Sequence, residues 1–163
     1  MVFEKNNDPN YFTENRWLTN CGSYALNIKE RYCPDEAFAL EDYEYAYELV
    51  EMENFSEEEA IQIMLERNVE QIKEDFDFLE PCNKDYVLKD GEELIAFRMC
   101  LGRTFDEELN TDYHFRVKRE GKWMEKCGMG EVQEVKNYNE DPWIISEELI
   151  YWGPIAYFVR KCF

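Results

Sequence analysis

One histidine, His114, stands in a chain of 163 residues, so any acid–base chemistry near neutral pH that uses an imidazole must use this one. Cysteines at 21, 33, 82, 100, 127 and 162 supply thiols. Cys21 has a setting that the others lack. Thr19 and Asn20, both good caps, precede Cys21-Gly22-Ser23-Tyr24-Ala25-Leu26-Asn27, so this thiol falls in the first turn of a predicted helix. Partial positive charge at a helix N-terminus favours the thiolate and lowers its pKa. A cysteine there, with a histidine on a later strand, has the makings of a nucleophile and its general base. For Cys33, Cys82, Cys100, Cys127 and Cys162 the reading is packing, as small buried apolar side chains.

The elements that must position these groups follow from hydrophobic periodicity. From Asp35 to Met52 the apolar Leu40, Tyr43, Tyr47 and Val50 recur at helical spacing, with acids between them. Ser56-Glu57-Glu58-Glu59 is a capping-box signature, and Ile61, Met64, Leu65, Val69, Ile72, Phe76 and Leu79 form a stripe behind it; Pro81 is expected to end this helix. Beyond Pro81 the period changes. Residues 94–101 read as a buried strand, 113–118 as a half-buried strand and 155–163 as a closing strand. Helices first (about 16–80) and strands second (about 90–163) predict one α+β domain over 1–163, N-terminal helices packed on a C-terminal antiparallel sheet.

Glu120-Gly121 reads as a two-residue hairpin turn between two of these strands. That register sets Arg116 opposite Glu125, Lys118 opposite Trp123, Phe115 opposite Lys126, Val117 opposite Met124 and His114 opposite Cys127. Opposed side chains share a face, so His114, Arg116, Trp123 and Glu125 form a polar surface, and Phe115, Val117 and Met124 face the core. Glu125 can then orient the imidazole by accepting from its second N–H, or pair with Arg116.

Three stretches, Asn20-Cys21-Gly22-Ser23-Tyr24-Ala25-Leu26, Asp112-Tyr113-His114-Phe115 and Gly121-Lys122-Trp123 with Lys126 and Gly128, together resemble small bacterial and phage proteins of the papain-like, NlpC/P60-like type. Those carry N-C-x-x-Y-A-L, D-Y-H-aromatic and G-x-W-x-x-K-x-G segments in this order. The resemblance covers about a fifth of the chain and departs at Glu125, where the family often has a second histidine. It implies a papain-like fold, Cys21 as nucleophile, His114 as general base and a peptide or amide bond as substrate. Besides Glu125, the third catalytic residue is sought among Asn137, Asn139 and Asp141, which follow the hairpin. The oxyanion donor beside the Cys21 N–H is sought in Asn15 or Asn20.

The formal charge is −19, and residues 30–80 carry 18 acidic against 3 basic side chains. Such a surface argues against direct binding to nucleic acid or an anionic membrane, which need Lys/Arg-rich faces. It suits a solvated helical face, or a mimic of nucleic acid that binds a basic protein. An acidic binding or inhibitor protein, or an inactive papain-like peptide-binding domain, is therefore the alternative to a cysteine hydrolase. No apolar run reaches membrane-spanning length and the first residues lack signal-peptide character, so a cytoplasmic protein with reduced thiols is expected. No metal or cofactor is expected: there is no CxxC pair and one histidine.

Overall fold

The computed structural model describes residues 3–161; Cys162 and the end of the expected closing strand lie outside them. The helical half comprises α1 (Tyr11–Glu14), α2 (Cys21–Leu26), a 3-10 turn (Pro34–Ala37), α3 (Asp42–Tyr47) running into a π turn (Glu48–Met52), and α4 (Glu57–Asp75). The strands are β1 (Leu79–Cys82), β2 (Glu93–Arg103), β3 (Leu109–Arg119), β4 (Lys122–Lys126), β5 (Val132–Glu134), β6 (Trp143–Ile144), β7 (Ile150–Tyr151) and β8 (Ala156–Arg160). This is the expected α+β order of helices then antiparallel sheet.

Local chemistry explains most boundaries. The α4 capping box forms, with Ser56 Oγ accepting from the Glu59 N–H at 3.1 Å. The helix ends at Asp75 rather than at Pro81, because Phe76 turns to extended backbone (φ −134). Its ring then packs against Phe3, Tyr32 and Phe78. Pro81 belongs to the edge strand β1, where a missing backbone donor is tolerated.

Six strands form one antiparallel sheet in the order β1-β8-β2-β3-β4-β5, and β6 and β7 form a separate ribbon. The β3–β4 hairpin has the expected register, Arg116 opposite Glu125 and Lys118 opposite Trp123. Glu120 (φ 52) and Gly121 (φ 78) both take the left-handed conformation that such a two-residue turn demands.

The sheet has two covered faces. Ile95, Phe97, Met99, Phe115, Val117 and Phe158 point to the helices and build the main core with Leu26, Ile61, Met64 and Ile72. On the other face Leu94, Ala96, Cys100 and Tyr157 meet Trp143 and Tyr151, carried by the ribbon segment. Buried Arg98 fastens that cover: its guanidinium donates to the carbonyls of Gly153 at 2.6 Å, Asp141 at 2.9 Å, Glu140 at 3.2 Å and Trp152 at 3.3 Å. Sequence periodicity did not indicate this second layer.

α3 is rotated relative to its apparent stripe. Tyr43 and Tyr47 are each 50% exposed and Leu40 is exposed, whereas Asp42, Ala46 and Leu49 are buried. The reason is polar. Asn68 of α4 donates to the Asp42 carboxylate at 2.9 Å, drawing that face inward. Burial raises the Asp42 pKa to about 6, although the Asn68 hydrogen bond opposes the shift.

Candidate functional site

The three motif stretches meet in space. Asn20 caps α2, its Oδ1 accepting from the Ser23 N–H and hydroxyl (both 2.9 Å) and from the Tyr32 N–H (3.2 Å). Its Nδ2 donates to the Tyr32 carbonyl at 2.9 Å and to the Tyr113 hydroxyl at 3.2 Å. Tyr113 in turn donates to the Tyr32 carbonyl at 2.8 Å, which ties the second motif to the first. Lys126, from the third, is fully buried on the same face, and its ammonium donates to the carbonyls of Arg16 (2.7 Å), Thr19 (2.9 Å) and Gly128 (2.5 Å). Gly22 allows α2 to approach Tyr32, since a Cβ there would stand 2.9 Å from the Tyr32 carbonyl oxygen.

Cys21 does occupy the first turn of α2, but it is only 6% exposed and belongs to the main core. Burial pushes its thiol up to about 12; the Phe115 N–H pulls the other way and the Asp112 charge adds to the rise. α2 has only six residues, and its N-terminal field does not offset that desolvation.

His114 lies on the opposite face. Its neighbours in β3, Tyr113 and Phe115, point to the helices, while its ring sits 5.5 Å from that of Tyr151 and 6.1 Å from that of Trp143 on the ribbon side. No hydrogen bond joins Cys21 to His114 among the described residues. The Cys21 thiol is instead hydrogen-bonded by the N–H of Phe115, the residue next to His114 in β3.

Glu125 does meet His114. The imidazole Nε2 lies 2.8 Å from Glu125 Oε1, and a carboxylate can only accept, so Nε2 carries the proton. The same oxygen accepts from Arg116 Nε at 2.9 Å, so the two partners considered for Glu125 share it. Gln133 Nε2 donates to Glu125 Oε2 at 3.0 Å and stands 3.8 Å from Cys127 Sγ. Arg116 also stacks 4.4 Å from the Trp143 ring. Burial alone would raise the Glu125 pKa; the His114 hydrogen bond and the His114 and Arg116 charges outweigh it and hold the carboxyl near 2. Cys127, half-buried, is pushed up to about 11 by burial and the Glu125 charge.

The remaining candidates stand apart. Asn15 Nδ2 donates to the Tyr11 carbonyl at 3.0 Å, and the Asn20 amide is committed to the cap and Tyr32. Asn139 donates to the Asn137 carbonyl at 3.2 Å and accepts from the Asp141 N–H at 2.8 Å, forming an exposed turn. Neither Asn139 nor Asp141 bonds to His114 among the described residues. Two open clefts, one beside Phe105 and Trp152 and one beside Tyr24 and Arg119, are lined by neither His114 nor Glu125. Gln133 was missed by sequence reasoning and Cys127 was read as packing, yet the hairpin register already set Cys127 opposite His114.

An α+β protein with a buried Arg–Glu–His cluster on one sheet face and an acidic helical layer on the other is the class that this architecture defines. The chain matches no family model, no curated protein and no solved structure. Among the described residues no helix is long and apolar enough to cross a membrane.

Proposed function

We propose that the chain is an acidic binding protein whose helical layer takes a basic protein partner. The observation that carries this reading is the outward turn of α3. Tyr43 and Tyr47, one helical turn apart, are both half exposed, Met52 is 68% exposed, and Glu41, Glu44, Glu51 and Glu53 stand exposed around them. Tyrosine and methionine are favoured at interfaces, and a tyrosine face also attracts Lys and Arg through its ring quadrupole. The acidic excess of residues 30–80 adds long-range steering toward a basic surface.

A Lys/Arg-rich amphipathic peptide is a suitable probe, titrated at low and physiological salt. Tyr43→Ala with Tyr47→Ala should weaken binding by about tenfold or more, the cost of removing two central anchors. Glu41→Lys with Glu44→Lys should abolish it and flatten its salt dependence. Equal affinity in wild type and the tyrosine double variant would reduce the layer to a solvating surface.

A second reading, a cysteine hydrolase acting on a peptide or amide bond, is supported by the Glu125–His114 hydrogen bond, the arrangement that orients a general base. It requires a thiol that alkylates quickly near pH 7 and slows in His114→Ala. Cys21, buried and held protonated, should label far more slowly than an unfolded-chain thiol, as mass spectrometry of iodoacetamide-treated protein can read. Rapid His114-dependent labelling of Cys21 would instead restore it as nucleophile.

A further inference from the structure

We propose that His114, Glu125 and Cys127 form a binding site for a borderline divalent transition-metal ion such as Zn²⁺. One ring nitrogen of His114, one carboxylate oxygen of Glu125 and the Cys127 sulfur all lie within 4.8 Å of one another.

The shape of this cluster distinguishes it from a catalytic relay. In an acid–imidazole–thiol relay the acid and the thiol sit on opposite edges of the ring, roughly 6 Å or more apart. Here acid and thiol are close as well, so the donors form a closed triangle. A tetrahedral ion with bonds of about 2.0–2.3 Å holds its ligands roughly 3.3–3.8 Å apart. The His114–Glu125 contact, now a 2.8 Å hydrogen bond, therefore opens by under about 1 Å as the ion enters, and no pair of the three donors starts more than 4.8 Å apart.

The donor set selects the ion. Imidazole nitrogen, carboxylate oxygen and thiolate sulfur together suit zinc or cobalt, whereas magnesium and calcium take oxygen alone. One thiolate and one carboxylate match the charge of one divalent ion, with the Arg116 guanidinium, 2.9 Å from the carboxylate, as an additional positive charge beside the site. On binding, Cys127 gives its proton to solvent as the metal–sulfur bond forms. The Nε2 proton that His114 shares with Glu125 leaves that nitrogen, to Nδ1 of a neutral ring or to solvent from an imidazolium, so that His114 ligates as the neutral imidazole.

The supporting groups are in place. The β3–β4 ladder fixes Glu125 beside His114, and Cys127 follows directly on β4. Gln133 donates to Glu125 at 3.0 Å and reaches within 3.8 Å of Cys127, and Arg116 holds the carboxylate at 2.9 Å. Such outer contacts orient metal ligands in known sites. His114 and Glu125 are buried while Cys127 is half-buried, so the triangle opens to solvent on its sulfur side. Three protein ligands with an open fourth position is the pattern of a site that takes water or a substrate atom.

The test uses the full chain, dialysed against chelator and titrated with Co²⁺ alone. The expected result is one equivalent bound, with visible ligand-field bands and a near-ultraviolet sulfur-to-cobalt band, all bleached by Zn²⁺. Cys127→Ala should remove the sulfur band, and His114→Gln should weaken binding about tenfold or more. Cys33→Ala, a change at a thiol outside the triangle, should leave both readouts unchanged. Cys127 is half-buried and follows the last residue of β4, so its variant is expected to fold, which circular dichroism checks. Absence of a sulfur band in wild type, or its persistence in folded Cys127→Ala, overturns the site.

Discussion

Lys126→Met is expected to lower stability by about 3–5 kcal/mol, enough to unfold a marginal domain. The lysine side chain is fully buried, and its ammonium satisfies the carbonyls of Arg16, Thr19 and Gly128 at 2.7, 2.9 and 2.5 Å. Methionine keeps the apolar stem, so little of the loss comes from a cavity. The three carbonyls have no equivalent donor, and each buried unsatisfied group costs about 1–3 kcal/mol, less than additively when they share one site. Relief from burying the charge, which already depresses the Lys126 pKa, offsets part of this. A fall in the urea midpoint at unchanged m measures the effect, and faster alkylation of Cys21 reports detachment of the 16–19 segment that leads into α2. A loss below about 1 kcal/mol would mean that water replaces the ammonium.

Glu125→Ala is expected to cost about 3–5 kcal/mol at neutral pH, because it leaves Arg116 as a buried charge without its counter-ion and His114 without its acceptor. The effect has a defined pH signature. The folded-state pKa of Glu125 is lowered from its ordinary 4.5 to about 2. The carboxylate's contribution is therefore fully present above about 4.5 and is lost progressively as pH falls from there through about 2, below which both states are protonated. The difference in unfolding free energy between wild type and Glu125→Gln should be largest above pH 5 and shrink steadily below it. A gap that stays constant from pH 7 to 2.5 would assign the cost to shape rather than charge.

Much of the architecture was legible. The Ser56 cap and the α4 stripe depend on residues one to two helical turns apart, and the Glu120-Gly121 turn sets a ladder whose pairs follow by counting outward. Strand alternation then placed His114 beside Glu125 and Cys127 and sent Phe115 and Val117 to the core. These are short-range patterns, and the chain obeys them without knowing its tertiary neighbours.

Three matters belonged to tertiary structure alone. How α2 docks on β3 decided that Cys21 is a core thiol bonded by the Phe115 N–H rather than by His114; a spacing in sequence carries no sign for that choice. The Asp42–Asn68 pair turned α3 so that its tyrosines face solvent, overriding the apolar stripe. Arg98 bound four distant carbonyls and closed a second layer over the His114 face. The last two rest on polar contacts between residues far apart in the chain, whose strength comes from burial. The motifs by themselves determined which segments meet, and packing decided which side chains within them can react together.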